Sequence, residues 1–374
     1  MMVVSHFLKW VRTASANQRA AAAGALARAY VLHQLPFEDR CAAEAALTLL
    51  LDDPSARVRK AMAEALALSR NAPLQVIGAL ASDQPEVASV VLARSPLLSD
   101  ADLIERVTAG LPAIQSIIAD RPAVSMELAA AIAELGEAEA CRILVCNEGA
   151  EIAALSFRRM AERHGHVASL RETMIADRRL PADCRHMLLV KVGEALKSSP
   201  LVVALMGAPR ADRLLKDACM KASITLIDAI GAEDYPALVA HLRVRGDLTP
   251  SFIIRAIAHG RVDFFGSVLV ALTGRTEGRI RALLSGGSDV ALSAAFRSAG
   301  LADAVHAILI RALKVWREVA NGKRVAGPQE VAWLMLKELG GEAAQGDLAA
   351  LLKSIHIDAL RENARGHALA IAAA

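Results

Sequence analysis

Six residues are of types that could bind a metal ion: Cys141, Cys146, His164, His166, Cys184 and His186. Thiolates and imidazoles are the ligands that zinc prefers, usually in CxxC or HxxxH spacing. Here the first two cysteines are five residues apart, which does not place them on one face of a helix, and His164 and His166 flank a predicted turn. We therefore interpret these residues as core or surface side chains, and we expect neither a metal ion nor any other cofactor.

Motifs of catalysis and nucleotide binding are absent from the sequence. It contains no GxxxxGK[ST] loop, no GxGxxG after a strand, no GxSxG elbow and no HExxH pair. Asp263-Phe264-Phe265-Gly266 is superficially similar to a kinase metal-binding motif, but the glycine-rich and catalytic loops that a kinase requires are missing. Phe264 and Phe265 are better interpreted as core anchors in an aromatic-poor chain. We predict that the protein is not an enzyme.

Basic residues are the remaining candidates for binding. The chain has 33 Arg and 10 Lys, and guanidinium groups form bidentate contacts with carboxylates and phosphates, although a GC-rich coding background would give the same excess. One cluster borders an apolar stripe that ends in Trp316, a profile compatible with packing on a partner or on an anionic surface. Its members, our candidate binding residues, are Arg311, Lys314, Arg317, Lys323 and Arg324.

Short helices at a fixed spacing must position these side chains. Residues 92–99, 118–125 and 144–151 align with one another at an offset of 26 residues without gaps. The repeated positions are Pro96 and Pro122, Ser99 and Ser125, and Gly110 and Gly136.

Each repeated residue type has a structural role. Proline ends the preceding helix, serine caps the next one, and glycine suits the left-handed residue that closes a helix. One repeat therefore consists of a cap, a helix of about ten residues, a glycine turn and a second short helix that ends at a proline. Such short helices must bury one face on their neighbours, as they do in an α-solenoid.

Residues 52–66 resemble a HEAT repeat, with an Asp-Pro start, then Val58-Arg59, then an alanine- and leucine-rich helix. The resemblance implies that Asp53 and Arg59 form hydrogen bonds between repeats. Alternatively, Arg59 and its basic neighbours Arg57 and Lys60 form a binding patch.

The wider chain resembles an uncharacterised bacterial family of HEAT-like helical-repeat proteins, a domain of unknown function. The segments that carry the resemblance are 52–66, 92–104, 118–122, 248–265 and 297–301. They extend over about residues 20–320. The resemblance implies an all-α fold, specifically a HEAT-like right-handed α-solenoid of short helical pairs that continues into a C-terminal helical region.

We predict three regions along the chain. Residues 1–200 form the HEAT-like repeats, residues 201–322 form a C-terminal helical region of the same family, and residues 323–374 form a helical extension. The glycines at 340, 341 and 346 suggest a looser join between the two helices of this extension.

Composition favours the same fold and limits the function. Apolar residues make up 54% of the chain and aromatic residues 3%, as stacked alanine- and leucine-rich helices require. The net charge of +3 gives no strong electrostatic attraction for nucleic acid. We therefore predict a non-enzymatic interaction scaffold or adaptor that binds a protein or peptide partner. The alternatives are a nucleic-acid-binding HEAT-like protein and a membrane-surface adaptor that acts through residues 301–324.

Five scattered cysteines and the lack of an apolar stretch of signal-peptide length near the first residue lead us to expect a cytoplasmic location.

Overall fold

The computed structural model describes residues 10, 13–32, 35–339 and 346–372. In these ranges the chain forms 22 α-helices, one short 3₁₀-helix and no β-strand, which confirms the predicted all-α class. The chain divides into two compact units, of which unit 1 ends at Leu180 and unit 2 begins at Pro181. The sequence instead places boundaries after residues 200 and 322.

Unit 1 contains eleven described helices. They are α1 (Ala16–Leu32), α2 (Phe37–Leu50), α3 (Ala56–Leu66), α4 (Leu74–Ala81), α5 (Pro85–Arg94), α6 (Asp100–Thr108), α7 (Pro112–Ala119), α8 (Met126–Leu135), α9 (Ala138–Cys146), α10 (Ala154–His164) and α11 (Ala168–Ala176).

From α5 onward the helices of unit 1 pack in two sets, each helix against the second one along the chain. One set is α5, α7, α9 and α11, and the other is α6, α8 and α10. Each helix is only two or three turns long and buries one narrow face; in α5 that face is Val87, Ala88, Val91 and Leu92. The same spacing of buried positions recurs in α7, α8, α9 and α10. This packing is compatible with the predicted solenoid, whose HEAT-like, right-handed character stays a prediction.

Unit 2 contains α12 (Ala182–Lys197), α13 (Pro200–Met206), α14 (Ala208–Ala229), α15 (Tyr235–Arg245), α16 (Pro250–Ala258), α17 (Val262–Thr273), α18 (Glu277–Gly286), α19 (Asp289–Ser298), α20 (Asp303–Ala320), α21 (Pro328–Glu338) and α22 (Asp347–Ala372). The 3₁₀-helix is Ala232–Asp234.

Aromatic side chains fill the core of unit 2. Phe264 and Phe265 are 1% and 0% exposed, which confirms them as core anchors. Phe264 lies edge-on to Phe252, with ring centroids 6.1 Å apart, and Phe265 contacts Phe296 at 5.7 Å. Thr249 starts α16 as predicted, because its side chain accepts a hydrogen bond from the Phe252 backbone N–H at 3.2 Å, with Pro250 in the first turn.

The described part of the C-terminal extension belongs to this core. α21 and α22 pack against each other and against α16, and Val331, Met335, Leu352 and Ile355 are fully buried in the cluster that holds the phenylalanines. Ion pairs also join α22 to other helices of unit 2. Asp358 of α22 lies 2.8 Å from Lys221 Nζ of α14 and 3.6 Å from a guanidinium nitrogen of Arg255, which is buried in α16. Of the glycines expected to loosen this region, 340 and 341 lie outside the described residues.

Candidate functional site

Unit 2 contains a groove on its surface. The groove has a volume of about 1130 Å³ and is lined by α15, α17, α18 and α20. Small-molecule sites usually enclose roughly 300–1,000 Å³, so this groove is as large as the largest of them.

Apolar side chains form most of the groove. They are Val244 from α15, Val262 and Val270 from α17, Ile280 and Leu284 from α18, and Leu313, Trp316 and Val319 from α20. Val244 is 87% exposed at the rim, whereas Ile280, Leu284 and Leu313 are buried. An apolar surface of this kind stabilises a ligand by removing the ligand's own apolar groups from water.

Trp316 is held rigidly in the wall of the groove. Its indole Nε1 donates a hydrogen bond to the Ile257 carbonyl at 2.7 Å. The ring lies against Gly260, where a Cβ atom would approach two ring carbons to 3.2 Å. Gly260 also has φ +81°, a left-handed conformation that favours glycine. Glycine is therefore needed here both for the turn and for the indole.

The rim carries charges of both signs. Arg281 pairs with Glu277 one turn earlier on α18, and Arg243 donates to the Ala271 carbonyl at 3.2 Å. Burial raises the pKa of Tyr235, and the nearby charge of Asp263 adds to this effect. The Tyr235 phenol is therefore neutral at physiological pH and offers one hydroxyl to a ligand.

Arg317 is the one predicted binding residue that lines the groove. Its guanidinium group forms hydrogen bonds with the backbone. Its nitrogens donate to three carbonyls at the end of α18: Leu284 at 2.7 Å, Leu283 at 2.9 Å and Gly287 at 3.1 Å. The last carbonyls of a helix have no partner within the helix. Arg317 therefore joins α18 to α20 and keeps this wall of the groove in place.

Two of the other predicted binding residues pair with carboxylates. Lys314 pairs with Asp289 at 2.7 Å, and Arg324 pairs with Glu318 at 3.2 Å and also with Glu330. Within the described chain, the side chains of Arg311 and Lys323 have no polar partner.

Much of the apolar stripe of residues 301–320 faces the protein interior. Val305, Ile308, Leu309 and Ala312 are buried in the core of unit 2. These buried side chains give no support to the membrane alternative for residues 301–324, which stays a prediction. The stripe is apolar because α20 packs against α16, α19 and α21.

Asp53 and Arg59 form hydrogen bonds between segments of unit 1, as the HEAT resemblance implies. Asp53 is buried and accepts two hydrogen bonds from Arg19 of α1, at 2.7 and 3.0 Å. Arg59 of α3 bonds Asp83, which lies between α4 and α5, and also the backbone carbonyl of Asp53. Burial opposes ionisation of Asp53, but hydrogen bonds from Arg19 and Ser55 outweigh it, and the net result is a lowered pKa. Arg59 lowers the pKa of Asp83 in the same way.

The repeat prolines and serines of unit 1 lie at helix ends and helix starts. Pro96 and Pro122 follow the ends of α5 and α7. Ser99 forms a capping box with Asp102, and Ser125 accepts from the Leu128 N–H at 3.2 Å.

A further series at the same spacing was not found from sequence. Arg121 donates to the carbonyl of Ser95, 26 residues earlier, at 2.8 Å, and Asn147 donates to the carbonyl of Arg121 at 2.7 Å. These residues are aligned in the repeat, but Ser, Arg and Asn share no obvious chemistry. Only their common position relative to the prolines indicates a shared role.

The two repeat glycines differ in conformation. Gly110 follows the end of α6 with φ +78° and is left-handed. Gly136 ends α8 with φ −67° and ψ 149°, so the left-handed conformation predicted for it is wrong. Close packing requires glycine there instead, since a Cβ atom would lie 2.5 Å from the Ile132 carbonyl oxygen.

The candidate metal ligands are separated or engaged elsewhere. His164 Nε2 lies 3.0 Å from the Gly136 carbonyl oxygen, and the Cys141 thiol lies 3.6 Å from that of Ile132. Burial raises the pKa of Cys141 to about 12, so it stays a thiol rather than a metal-binding thiolate. His186 packs edge-on against His241, with ring centroids 5.3 Å apart. In the part of the chain that the structure describes, no three His, Cys, Asp or Glu side chains are placed to hold a metal ion.

None of the described helices combines the length and the apolar character needed to cross a membrane.

Comparison with known proteins identifies a family. No curated protein and no solved structure matches the chain. Residues 87–349 match a family described as an uncharacterised protein conserved in bacteria, DUF2336. This match extends from α5 in unit 1 to α22 in unit 2 and includes all four helices that line the groove. The chain therefore belongs to the DUF2336 family of bacteria.

Proposed function

We propose that the protein is a non-enzymatic scaffold that binds a segment of a protein partner in the groove of unit 2. The observation that carries the proposal is the groove's apolar lining, drawn from four helices and fixed by Trp316 and Arg317. Exposed apolar surface in a rigid concave site is typical of sites that receive an apolar ligand.

The partner segment that fits best is an amphipathic helix. Its apolar face would pack on Val270, Trp316 and Val319, and polar side chains at its edges would meet the mixed charges of Arg243, Asp263 and Arg281. Helix-in-groove recognition uses apolar anchors one turn apart on a single face of the ligand. Charges of both signs at the rim then select the register of the bound helix rather than attract a polyanion.

The use of arginine in this chain supports a protein partner over nucleic acid. Arg121, Arg163 and Arg179 of unit 1 donate to backbone carbonyls, as Arg317 does in unit 2. Guanidinium groups held in this way are not free to contact phosphates. A cytoplasmic location is part of the proposal, because all five cysteines are unpaired thiols, as a reducing compartment would leave them.

Two arginines placed in the groove would test this function. Ala240 and Ala271 line the groove and are exposed, so Ala240→Arg with Ala271→Arg should obstruct it without disturbing the core. The matched control is Ala282→Arg, at an exposed position of α18 that does not line the groove. The wild-type chain and both variants would be used for affinity capture from bacterial extract, followed by mass spectrometry and by titration with the purified partner.

We expect one partner to be retained by the wild type and the control, and to bind the double variant at least about tenfold more weakly. Equal binding of a purified partner to all three chains, or no specific binding to the wild type, would refute the proposal.

A further inference from the structure

α13 is an apolar helix that the rest of the described chain does not cover. None of its seven residues is buried. Leu201 and Leu205 are 68% and 74% exposed, and Val203 and Met206 are exposed as well. Leu196 before the helix and Leu214 after it extend the same surface. We call these six residues the α13 patch.

The arrangement of the α13 patch indicates what covers it. Leu201 and Leu205, one turn apart, lie on one side of α13, and Val203 and Met206 lie on other sides. A partner with a flat surface would cover only one side, whereas a lipid layer would surround the helix. At 1.5 Å per residue a helix of seven residues is about 10 Å long, so it is far too short to cross a membrane and can enter only the surface layer.

Basic side chains surround the base of this helix. Lys197 precedes α13, and Arg210, Arg213 and Lys216 follow it. Asp212 is neutralised by Lys197 at 2.6 Å and by Lys216 at 3.0 Å. Arg210 and Arg213 are exposed and have no carboxylate partner among the described residues. Glu194 is the other exposed acidic residue nearby, so the base has a net positive charge.

We propose that α13 inserts into the surface of an anionic membrane. The apolar side chains of the α13 patch enter the boundary between headgroups and acyl chains, and Arg210 and Arg213 contact the phosphates of anionic lipids. Burial of leucine side chains and attraction of arginine to anionic headgroups both favour this state. The protein then lies on the membrane without crossing it. This inference is independent of the groove, which no residue of the α13 patch lines.

Vesicle flotation of the full chain tests the proposal. The vesicles are phosphatidylcholine alone and phosphatidylcholine with phosphatidylglycerol. The test variant is Leu201→Gln with Leu205→Gln. Its matched control is Leu68→Gln with Leu155→Gln, because these unit 1 leucines are 70% and 74% exposed. A third variant, Arg210→Gln with Arg213→Gln, tests the electrostatic contribution.

We expect the wild type and the control to float with anionic vesicles and to bind neutral vesicles at least about tenfold more weakly. The leucine variant should lose at least about tenfold in affinity for anionic vesicles, and the arginine variant should lose most of the salt dependence.

Failure of the wild type to bind anionic vesicles, or equal binding by the leucine variant and its control, would overturn the proposal. So would a wild-type dimer in sedimentation equilibrium that the leucine variant loses, since a second copy of the chain would then cover the α13 patch.

Discussion

The two units of this protein are stabilised in different ways. In unit 1 the helices are short, and side chains at a repeated position bond the carbonyls of the preceding repeat, as Arg121 and Asn147 do. In unit 2 several helices are longer, and phenylalanines fill the core. Its contacts between residues distant in sequence, such as the hydrogen bond from Trp316 to Ile257, occur once and are not repeated along the chain. The regular unit thus uses polar side chains to join its repeats, and both surfaces that we propose for binding lie in the irregular unit.

Both candidate binding surfaces lie in unit 2. The groove is lined by α15, α17, α18 and α20, and the α13 patch lies on and beside a short helix that connects two long ones. The following predictions test whether a substitution or a change of pH alters the stability of one unit without altering that of the other.

The largest effect is expected in the core of unit 2. Phe265→Ala removes a fully buried ring that contacts Phe296, and should lower the free energy of unfolding by about 3–5 kcal/mol. Urea unfolding would measure this change, and amide hydrogen exchange measured separately for the two units would locate it. Loss of protection confined to unit 2 is the expected result, and equal loss in both units would show that they unfold together.

Acid should affect unit 2 through His186. Burial, with a contribution from the neighbouring His241, lowers the pKa of His186 from 6.5 to about 4. The unfolded chain therefore binds a proton between these values that the folded chain does not bind. The contribution of neutral His186 to the free energy of unfolding is therefore fully present above pH 6.5 and is lost as the pH falls toward 4. The loss amounts to about 3 kcal/mol.

His186→Gln would remove this pH dependence. Urea unfolding between pH 7 and about pH 4 should show a shallower loss of stability in the variant than in the wild type. Parallel curves for the two chains would mean that His186 does not titrate in this way.

In unit 1 the buried carboxylate Asp53 should matter most. Asp53→Asn weakens two charged hydrogen bonds from Arg19, and should cost about 2 kcal/mol, whereas the exposed neighbour Asp52→Asn should change stability by less than about 0.5 kcal/mol. Because the folded pKa of Asp53 lies below its unfolded value, this contribution is complete above the unfolded pKa and is lost as the pH falls through the folded one. Chemical unfolding at neutral and acidic pH measures both effects, and equal losses for the two variants would contradict the role of Asp53.

Effects no larger than that of Asp53 should come from the two repeat glycines. Gly110→Ala forces a side chain into a left-handed conformation, at a cost of about 1 kcal/mol. Gly136→Ala should cost more, about 2 kcal/mol, because its Cβ atom must displace the Ile132 carbonyl. Thermal unfolding of both variants would rank them, and the reverse order would show that α8 relaxes to make room.

The sequence alone predicted the features that depend on neighbouring residues, such as helix ends and helix caps. Pro122 and Ser125 mark a helix end and a helix start without reference to the rest of the chain, and the Asp-Pro/Val-Arg pattern indicated the hydrogen bonds that Asp53 and Arg59 form between segments of unit 1. Gly136 shows the limit of this reasoning, because glycine serves equally for a left-handed turn and for close packing.

Tertiary contacts could not be read from the same patterns. The stripe of α20 had the amphipathic spacing of a surface-binding helix, but that spacing is equally what a buried helix needs. Arg317 was singled out for its charge, although its partners are carbonyls about 30 residues away. The groove combines residues from 232 to 320 and has no sequence motif.

The hydrogen bonds that join Ser95, Arg121 and Asn147 also limit how the length of unit 1 can change. Loss of residues 96–121 would bring Asn147 opposite Ser95 and α5, so its amide could bond the carbonyls that Arg121 now caps. A deletion a few residues longer or shorter than 26 would leave those carbonyls without a donor. It would also turn the buried faces of the following helices away from their neighbours. Insertions and deletions in this part of the family should therefore come in whole repeats.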